Sequence, residues 1–527
     1  MITLDDFIRK GYFPEELIPP FYTEELANII PELMPPLKTW FKKIGKCSSH
    51  TIPRLKHLRR HLSLPNPLNQ ILLCDILEKN WNEIEEFVSK STISMTTPKV
   101  INDSKRAVMR AYNYSEISSE IAMRSTAARY MLRTDISRFY PTLYTHSIPW
   151  ALHSKVQAKA VRNSSLFGNQ IDKFVRNSMD GQTIGIPIGP DSSLIVAEII
   201  ATAIDQMLIA ELGNIEGLRY MDDFFLFFST FAEAEDALFK LHAITKDFEL
   251  ELKSEKTSIK ELPEPLESEW VSEFRYFTFK QNKTAQRNNL IGYFSKAFEY
   301  SKLYNADYVL KYTLSKIRYL LVESDNWKLY QSLLMKSAIA EPATLPTVLQ
   351  ILLAYSKKGF TLDKNIISGT LTEIIIYNSK FNHGYEVSWA MWIAKSLKIP
   401  LNEEVAKSIS TVDDSIVAIV ALDLFNSGLI PKGFDVTKWK KIMQAKELYD
   451  NNWLLAYEAY IKGWLKSVSG KDYLLSDDFF SILQKNNVSF YDNTRQVPEI
   501  ELKTPMQIKD KKAETNFYCT GVGGGGY

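Results

Sequence analysis

Two adjacent carboxylates, Asp222 and Asp223, stand inside "RYMDDFFLFF" (219–228), one of the most apolar and aromatic runs of the chain. Burying two ionised carboxylates is costly unless a cation or hydrogen-bond donors compensate. Three kinds of chemistry fit such a pair: a solvated hairpin turn, an acid pair for proton transfer, or half of a metal site. Magnesium takes hard oxygen ligands, usually one or two carboxylates with phosphate oxygens and water, so the metal reading calls for another acid at the end of an apolar strand. "YMLRTDISRFYPTLY" (130–144) supplies it, with Asp135 after Met131 and Leu132 and before the aromatic pair Phe139–Tyr140. Each acid alone reads as an ordinary turn residue, since Asp favours turns for its own hydrogen bonds. The three together favour a metal site.

Other segments carry chemistry of their own. In "GQTIGIPIGPDSSLIVAEI" (181–199), Gly185 and Gly189 permit close backbone approach, so a flat base or sugar can lie there, and Ser192 or Ser193 can cap the following helix. "LELKSEKTSIK" (250–260) is rich in lysine, and "SKRAVMRAYNY" (104–114) offers Lys105, Arg106 and Arg110. From Lys38 to Leu62 the chain holds eight Lys or Arg and three His with no Asp or Glu. Its plain reading is a solvated basic helix face. Its functional reading is a surface for RNA or single-stranded DNA, with Trp40 and Phe41 for stacking and Arg59 and Arg60 among the phosphate contacts.

These residues need elements to position them. Residues 1–94 repeat apolar residues at helical spacing and predict a small helical region carrying the basic segment. Between 95 and 290, short β-branched or aromatic runs ("ARYMLRTDI", "LRYMDDFFLFF", "FRYFTF") alternate with helix-like ones, the pattern of a mixed α/β domain. Residues 291–510 read as nearly all helical, without a strict sequence period, and 511–527 end in the flexible, glycine-rich "GVGGGGY". The length of 527 residues suits two to four domains, and 63 basic against 62 acidic residues leave no global charge that announces a polyanion. Three scattered cysteines argue against a disulfide framework or a structural zinc. Without a secretion signal pattern or a run of about 18 uninterrupted apolar residues, the expectation is a soluble cytoplasmic protein with no membrane partner.

The ordered set "DISRFY", "GIPIG", "YMDD" and "KT" resembles the palm of reverse transcriptases. The resemblance implies an α+β fold: reverse-transcriptase fingers and palm followed by an all-α, HEAT-like helical-repeat domain. It implies that Asp135, Asp222 and Asp223 hold two magnesium ions, with manganese as a possible substitute, about 3.5–4 Å apart. It further implies that Lys256 sits near a departing pyrophosphate, that Tyr140 closes the space beside the sugar 2′ position, and that Arg106 meets the triphosphate of a dNTP. "FRYFTF" (274–279) falls where the family has a hydrophobic primer-gripping hairpin.

Ile188 stands where the family usually carries Gln, and an isoleucine cannot make polar contacts to a nascent base pair. With "DISRFYPTLYTHSIPWALHSK" (135–155), this resembles the abortive-infection and defence-associated bacterial reverse transcriptases. That group acts against phage and can make DNA without a conventional template or primer, some members with a partner RNA and some priming on protein; self-association is compatible with it. Tyr527, on its glycine tether, is then a candidate priming hydroxyl. Two other readings stay open: an ordinary RNA-templated enzyme, retron-like or derived from a mobile element, and a non-catalytic helical scaffold whose palm senses nucleotides.

Overall fold

The structure, a computed structural model, describes residues 1–54 and 58–508. The tail 511–527, with Tyr527, lies outside the described residues.

The centre is a four-stranded sheet in the order β6-β7-β5-β8, with β5 Tyr130–Asp135, β6 Glu216–Tyr220, β7 Asp223–Phe228 and β8 Ser258–Glu261. Every neighbouring pair is antiparallel. Side chains alternate along β5, so Leu132 and Thr134 turn into the core while Met131, Arg133 and Asp135 share the other face. The helix Phe231–Asp247 packs across β5 and β7, and the 22-residue helix Asp191–Leu212 lies beside it. By length and composition alone the latter could cross a membrane, but most of it is buried inside the protein.

Among its described residues the basic segment holds no α-helix. After a single 3-10 turn at Leu37–Trp40, its later part pairs as β1 Ser48–Pro53 and β2 Arg59–Leu64, antiparallel and in register from Ser48↔Leu64 to Pro53↔Arg59. Its buried residues recur with period two (Ser48, His50, Ile52; Arg60, Leu62, Leu64), a strand signal hidden under the charges. Trp40 is buried edge-on against Phe479, so its ring is not available for base stacking, and the partly buried Phe41 packs on Phe174. Arg59 pairs with the carboxylate of Glu386, and Arg60 is buried. Arg59, expected to meet phosphate, instead helps fasten the hairpin to the helix Gly384–Ser396.

That docking is extensive. His50 Nδ1 lies 2.8 Å from Asp414 Oδ2, both side chains almost fully buried, and Gly384 N donates to Thr51 Oγ1 at 3.0 Å. A side chain at Gly384 would put its Cβ 2.1 Å from Asp414 Oδ2, so only glycine admits this approach. Trp453 Nε1 donates to Leu64 O at 2.9 Å, and Asn66 Nδ2 to Leu448 O at 2.7 Å.

After β8 the named regular elements among the described residues are all helices. From Trp327–Ala340 through Leu345–Lys357, Lys364–Ser379, Gly384–Ser396, Glu403–Thr411 and Ser415–Asn426, each of the first four helices packs against the second one along, while Trp327–Ala340 with Leu345–Lys357, Lys364–Ser379 with Gly384–Ser396, and Glu403–Thr411 with Ser415–Asn426 also pack as consecutive pairs. The chain then returns to its start: Phe21 bridges Tyr491, and Arg495 pairs with Glu24.

"FRYFTF" also departs from expectation, because no hairpin forms there. Residues Glu269–Tyr276 are a helix that buries Trp270 and Phe274, four apart, while Phe277 and Phe279 pack against Tyr293. Aromatic spacing of four satisfied a helix face as readily as a strand.

Candidate active site

The strands β6 and β7 are joined by two residues, Met221 and Asp222, with Tyr220 paired to Asp223. Met221 adopts φ +59°, a left-handed conformation that a bulky residue keeps only when its surroundings hold it there. Its N–H donates to Thr96 Oγ1 at 3.2 Å, and its carbonyl accepts from Arg219 Nη1 at 2.9 Å. Asp135 ends β5 directly opposite Asp223. Its backbone is clamped as well: Lys253 N donates to Asp135 O at 2.7 Å, and Ile136 N to Asp222 O at 3.1 Å.

Asp135, Asp222 and Asp223 therefore converge, each offering a carboxylate oxygen within 4.8 Å of the others. Burial, reinforced by the charges of Asp135 and Asp223, pushes the Asp222 carboxyl up to about 8. Burial also raises Asp223, against the opposing pull of Lys256. Lys256 Nζ donates to Asp135 Oδ2 and reaches Asp223 Oδ1 at 3.5 Å, so the pair does have a neutralising cation nearby. Burial weakens that ammonium, but Asp223, Asp135 and Asp222 outweigh it and keep the proton on Nζ. Three crowded, hard oxygen donors with too little positive charge around them fit a divalent cation.

The Gly-Pro segment lies against the same end of β5. Ile186 N donates to Tyr140 O at 3.0 Å and Gly185 N to Leu143 O at 2.8 Å, fixing the buried Tyr140 beside the segment. Gly185, at φ +90°, faces Pro141 O, where a Cβ would sit at 3.2 Å. Gly189, at φ +129°, would place a Cβ 2.4 Å from Pro14 Cγ. The close approach these glycines allow is thus to the chain itself, not to a base or sugar. Neither serine caps the helix: Pro190 takes the cap position without a side-chain bond, and Ser192 Oγ accepts from Gln70 Nε2 at 3.2 Å.

Arg106 corrects a second expectation. Its guanidinium donates to Asp191 Oδ1 from Nε at 3.0 Å and to Phe13 O at 2.7 Å, and Asp191 Oδ2 also accepts from Ala107 N at 2.9 Å. This buried bracket ties the region of β4, Met109–Arg110, to the start of the Asp191–Leu212 helix. Arg106 is occupied there and is not presented to a triphosphate.

Sequence reasoning missed the support beneath the turn. Arg219 is fully buried and donates from Nε to Asp205 Oδ1 at 2.9 Å and from Nη2 to Glu198 Oε1 at 2.7 Å. Glu198 also accepts from Thr96 Oγ1 at 2.9 Å, and Asp205 from Ser91 Oγ at 2.6 Å. Burial alone would raise the Glu198 carboxyl, but Arg219 holds it below its ordinary value. A signal existed: two acids seven apart, hence on one face of an otherwise apolar helix, and an arginine just before the acid pair.

With this geometry in place, the comparisons with known proteins define the class. The sequence model of the reverse transcriptase (RNA-dependent DNA polymerase) family matches residues 60–281. The chain carries a reverse transcriptase domain and is a nucleotidyltransferase of the RNA-directed DNA polymerase class. No curated protein matches it. Among solved structures, apo telomerase from Candida tropicalis aligns at 12% identity over 77% of this chain and 72% of that one, with TM-score 0.31. Telomerase from Candida albicans, in complex with the TWJ fragment of telomeric RNA, aligns at 11% identity over 76% and 67%, with TM-score 0.29.

Proposed function

We propose that the protein is a DNA polymerase of the reverse-transcriptase type acting in antiphage defence, joining dNTPs by nucleotidyl transfer with release of pyrophosphate. The observation that carries the chemistry is the convergence of three carboxylate oxygens within 4.8 Å at the tip of the sheet. Asp135, Asp222 and Asp223 would hold magnesium, which when bound neutralises phosphate charge and lowers the pKa of an attacking hydroxyl. Lys256 keeps a proton at Nζ beside two of the carboxylates and supplies a cation for the leaving pyrophosphate. The backbone clamps on Asp135 and Met221 fix the carboxylates before substrate arrives, so little reorganisation is needed during reaction. Ile188, partly buried and apolar in the Gly-Pro segment, supports synthesis with little polar reading of a template.

The organisation we propose is 1–94, 95–290, a HEAT-like helical-repeat domain 291–510, and the tail 511–527. The same reading makes the protein cytoplasmic, with RNA or single-stranded DNA as partner. Incubating the full chain with each labelled dNTP and magnesium, with and without an RNA template and DNA primer, and then treating with protease, tests it. Incorporation without added nucleic acid supports the reading. Incorporation only with template and primer returns the protein to ordinary templated copying, and no incorporation under either condition defeats the polymerase assignment.

Tyr140, buried beside the Gly-Pro segment, would close the sugar site in this reading. Tyr140→Ala is expected to weaken discrimination against ribonucleotides by about 10- to 200-fold, the range open to an apolar pocket. The ratio of kcat/KM for a dNTP and its rNTP checks this, and an unchanged ratio makes Tyr140 a packing residue only.

A further inference from the structure

Asp135 shares its face of β5 with Arg133 and Met131. Across the ladders, Arg133 sits opposite Phe225 of β7 on one side and Ser258 of β8 on the other, so these three residues form a row one rung back from the row holding Asp135 and Asp223. Two strand residues separate the rows, a rise of about 6.6 Å. Arg133 is exposed, and its guanidinium carbon lies 5.1 Å from the centroid of the Phe225 ring. Among the described residues its side chain forms no hydrogen bond or ion pair, whereas Arg59, Arg106, Arg219 and Lys256 are all bound to carboxylates. A guanidinium laid on an aromatic ring keeps the edge of its N–H fork for an oxyanion. Tyr114, half exposed, stands edge-on to Tyr220 at 5.4 Å and within electrostatic reach of Asp223 and Arg133, and so walls the same floor.

The direction of the cleft says which oxyanion. Tyr140 and the Gly-Pro segment lie beyond the carboxyl end of β5, on the side assigned to the incoming nucleotide. A strand whose terminal hydroxyl meets the carboxylates must leave by the opposite side, back over β5. Among the described residues, Glu269–Tyr276 are helical rather than a hairpin over that floor, and Arg133 on it is exposed. We propose that Arg133, seated on Phe225, is a subsite for the last phosphodiester of the strand being extended. It offsets the repulsion that strand meets from Asp222 and Asp223. The inference rests on the polymerase reading of the carboxylates.

A fluorescent DNA primer on an RNA template, titrated with the full chain in EDTA, tests it by anisotropy without requiring catalysis. One primer carries a normal phosphodiester at its last linkage, the other a neutral methylphosphonate. Wild type is expected to bind the methylphosphonate primer about 10-fold more weakly, on the scale of one charge-assisted hydrogen bond. Arg133→Gln is expected to show that same loss on the normal primer and no further loss on the neutral one, with its salt dependence reduced by about 0.7–0.9. Primer extension in magnesium should then show a raised KM for primer and an unchanged KM for dNTP. The subsite is overturned if Arg133→Gln senses the methylphosphonate as strongly as wild type, if the loss appears in the dNTP KM, or if wild type binds neither primer. A wild type that shows the binding pattern but extends nothing upholds the subsite and defeats the catalytic reading instead.

Discussion

Asp222→Asn is expected to lower nucleotide incorporation by about 10²–10³-fold or more, the cost of losing one preorganised electrostatic group at a reacting centre. The same change is expected to raise the melting temperature of the metal-free protein. Asp222 is buried, with its carboxyl pushed up to about 8 by burial and by the neighbouring Asp135 and Asp223, so an amide of nearly the same shape relieves crowding rather than creating a hole. Magnesium should stabilise the wild type against heat and leave the variant almost unchanged, because anything that binds only the native state raises its apparent stability. Differential scanning fluorimetry with and without magnesium, beside an incorporation assay, reads both signs. A variant that keeps full activity, or that magnesium stabilises as it does wild type, would falsify the metal-site reading.

Arg219→Met carries the largest expected effect on stability. It strips the partner from Glu198 and Asp205, both almost fully buried, and removing one member of a buried ionic cluster typically costs about 3–5 kcal/mol. It also removes the donor to Met221 O, so the left-handed turn that presents Asp222 loses one of its two restraints. A triple variant, Arg219→Met with Glu198→Gln and Asp205→Asn, should recover much of the melting temperature, since neutral replacements leave no buried charge unpaired. Activity should stay low in the triple variant, because the turn is still missing that donor. Recovery of both quantities together would show that Arg219 serves stability alone, and no loss in the single variant would contradict the packing described for the cluster.

The sequence by itself determined the acidic lip of the sheet. Asp222 and Asp223 lie in one short strand–turn–strand segment, and Asp135 closes an apolar strand whose alternation is visible in "YMLRTD". Such features are local: a two-residue loop and a period of two follow from backbone geometry. Only the resemblance of its segment to the family singles out Lys256 from Lys253 and Lys260, and its contacts with Asp135 and Asp223 are not visible in the sequence.

Tertiary structure decided what each remaining charge and glycine was for. Arg106 and Arg59 look like phosphate binders in isolation, yet Asp191 and Glu386, far away in sequence, claim them. Gly189 looks open to a ligand until Pro14 is placed against it. Arg133, unremarked among the hydrophobic residues of β5, becomes an exposed cation on the face of Asp135 and Asp223 once the register with Phe225 is known. The physical reason is common to all four. The value of a charge depends on its desolvation and on the partner within a few ångströms, and the room around a glycine depends on which segment packs there. Both are set by long-range packing that leaves no periodic trace in the chain.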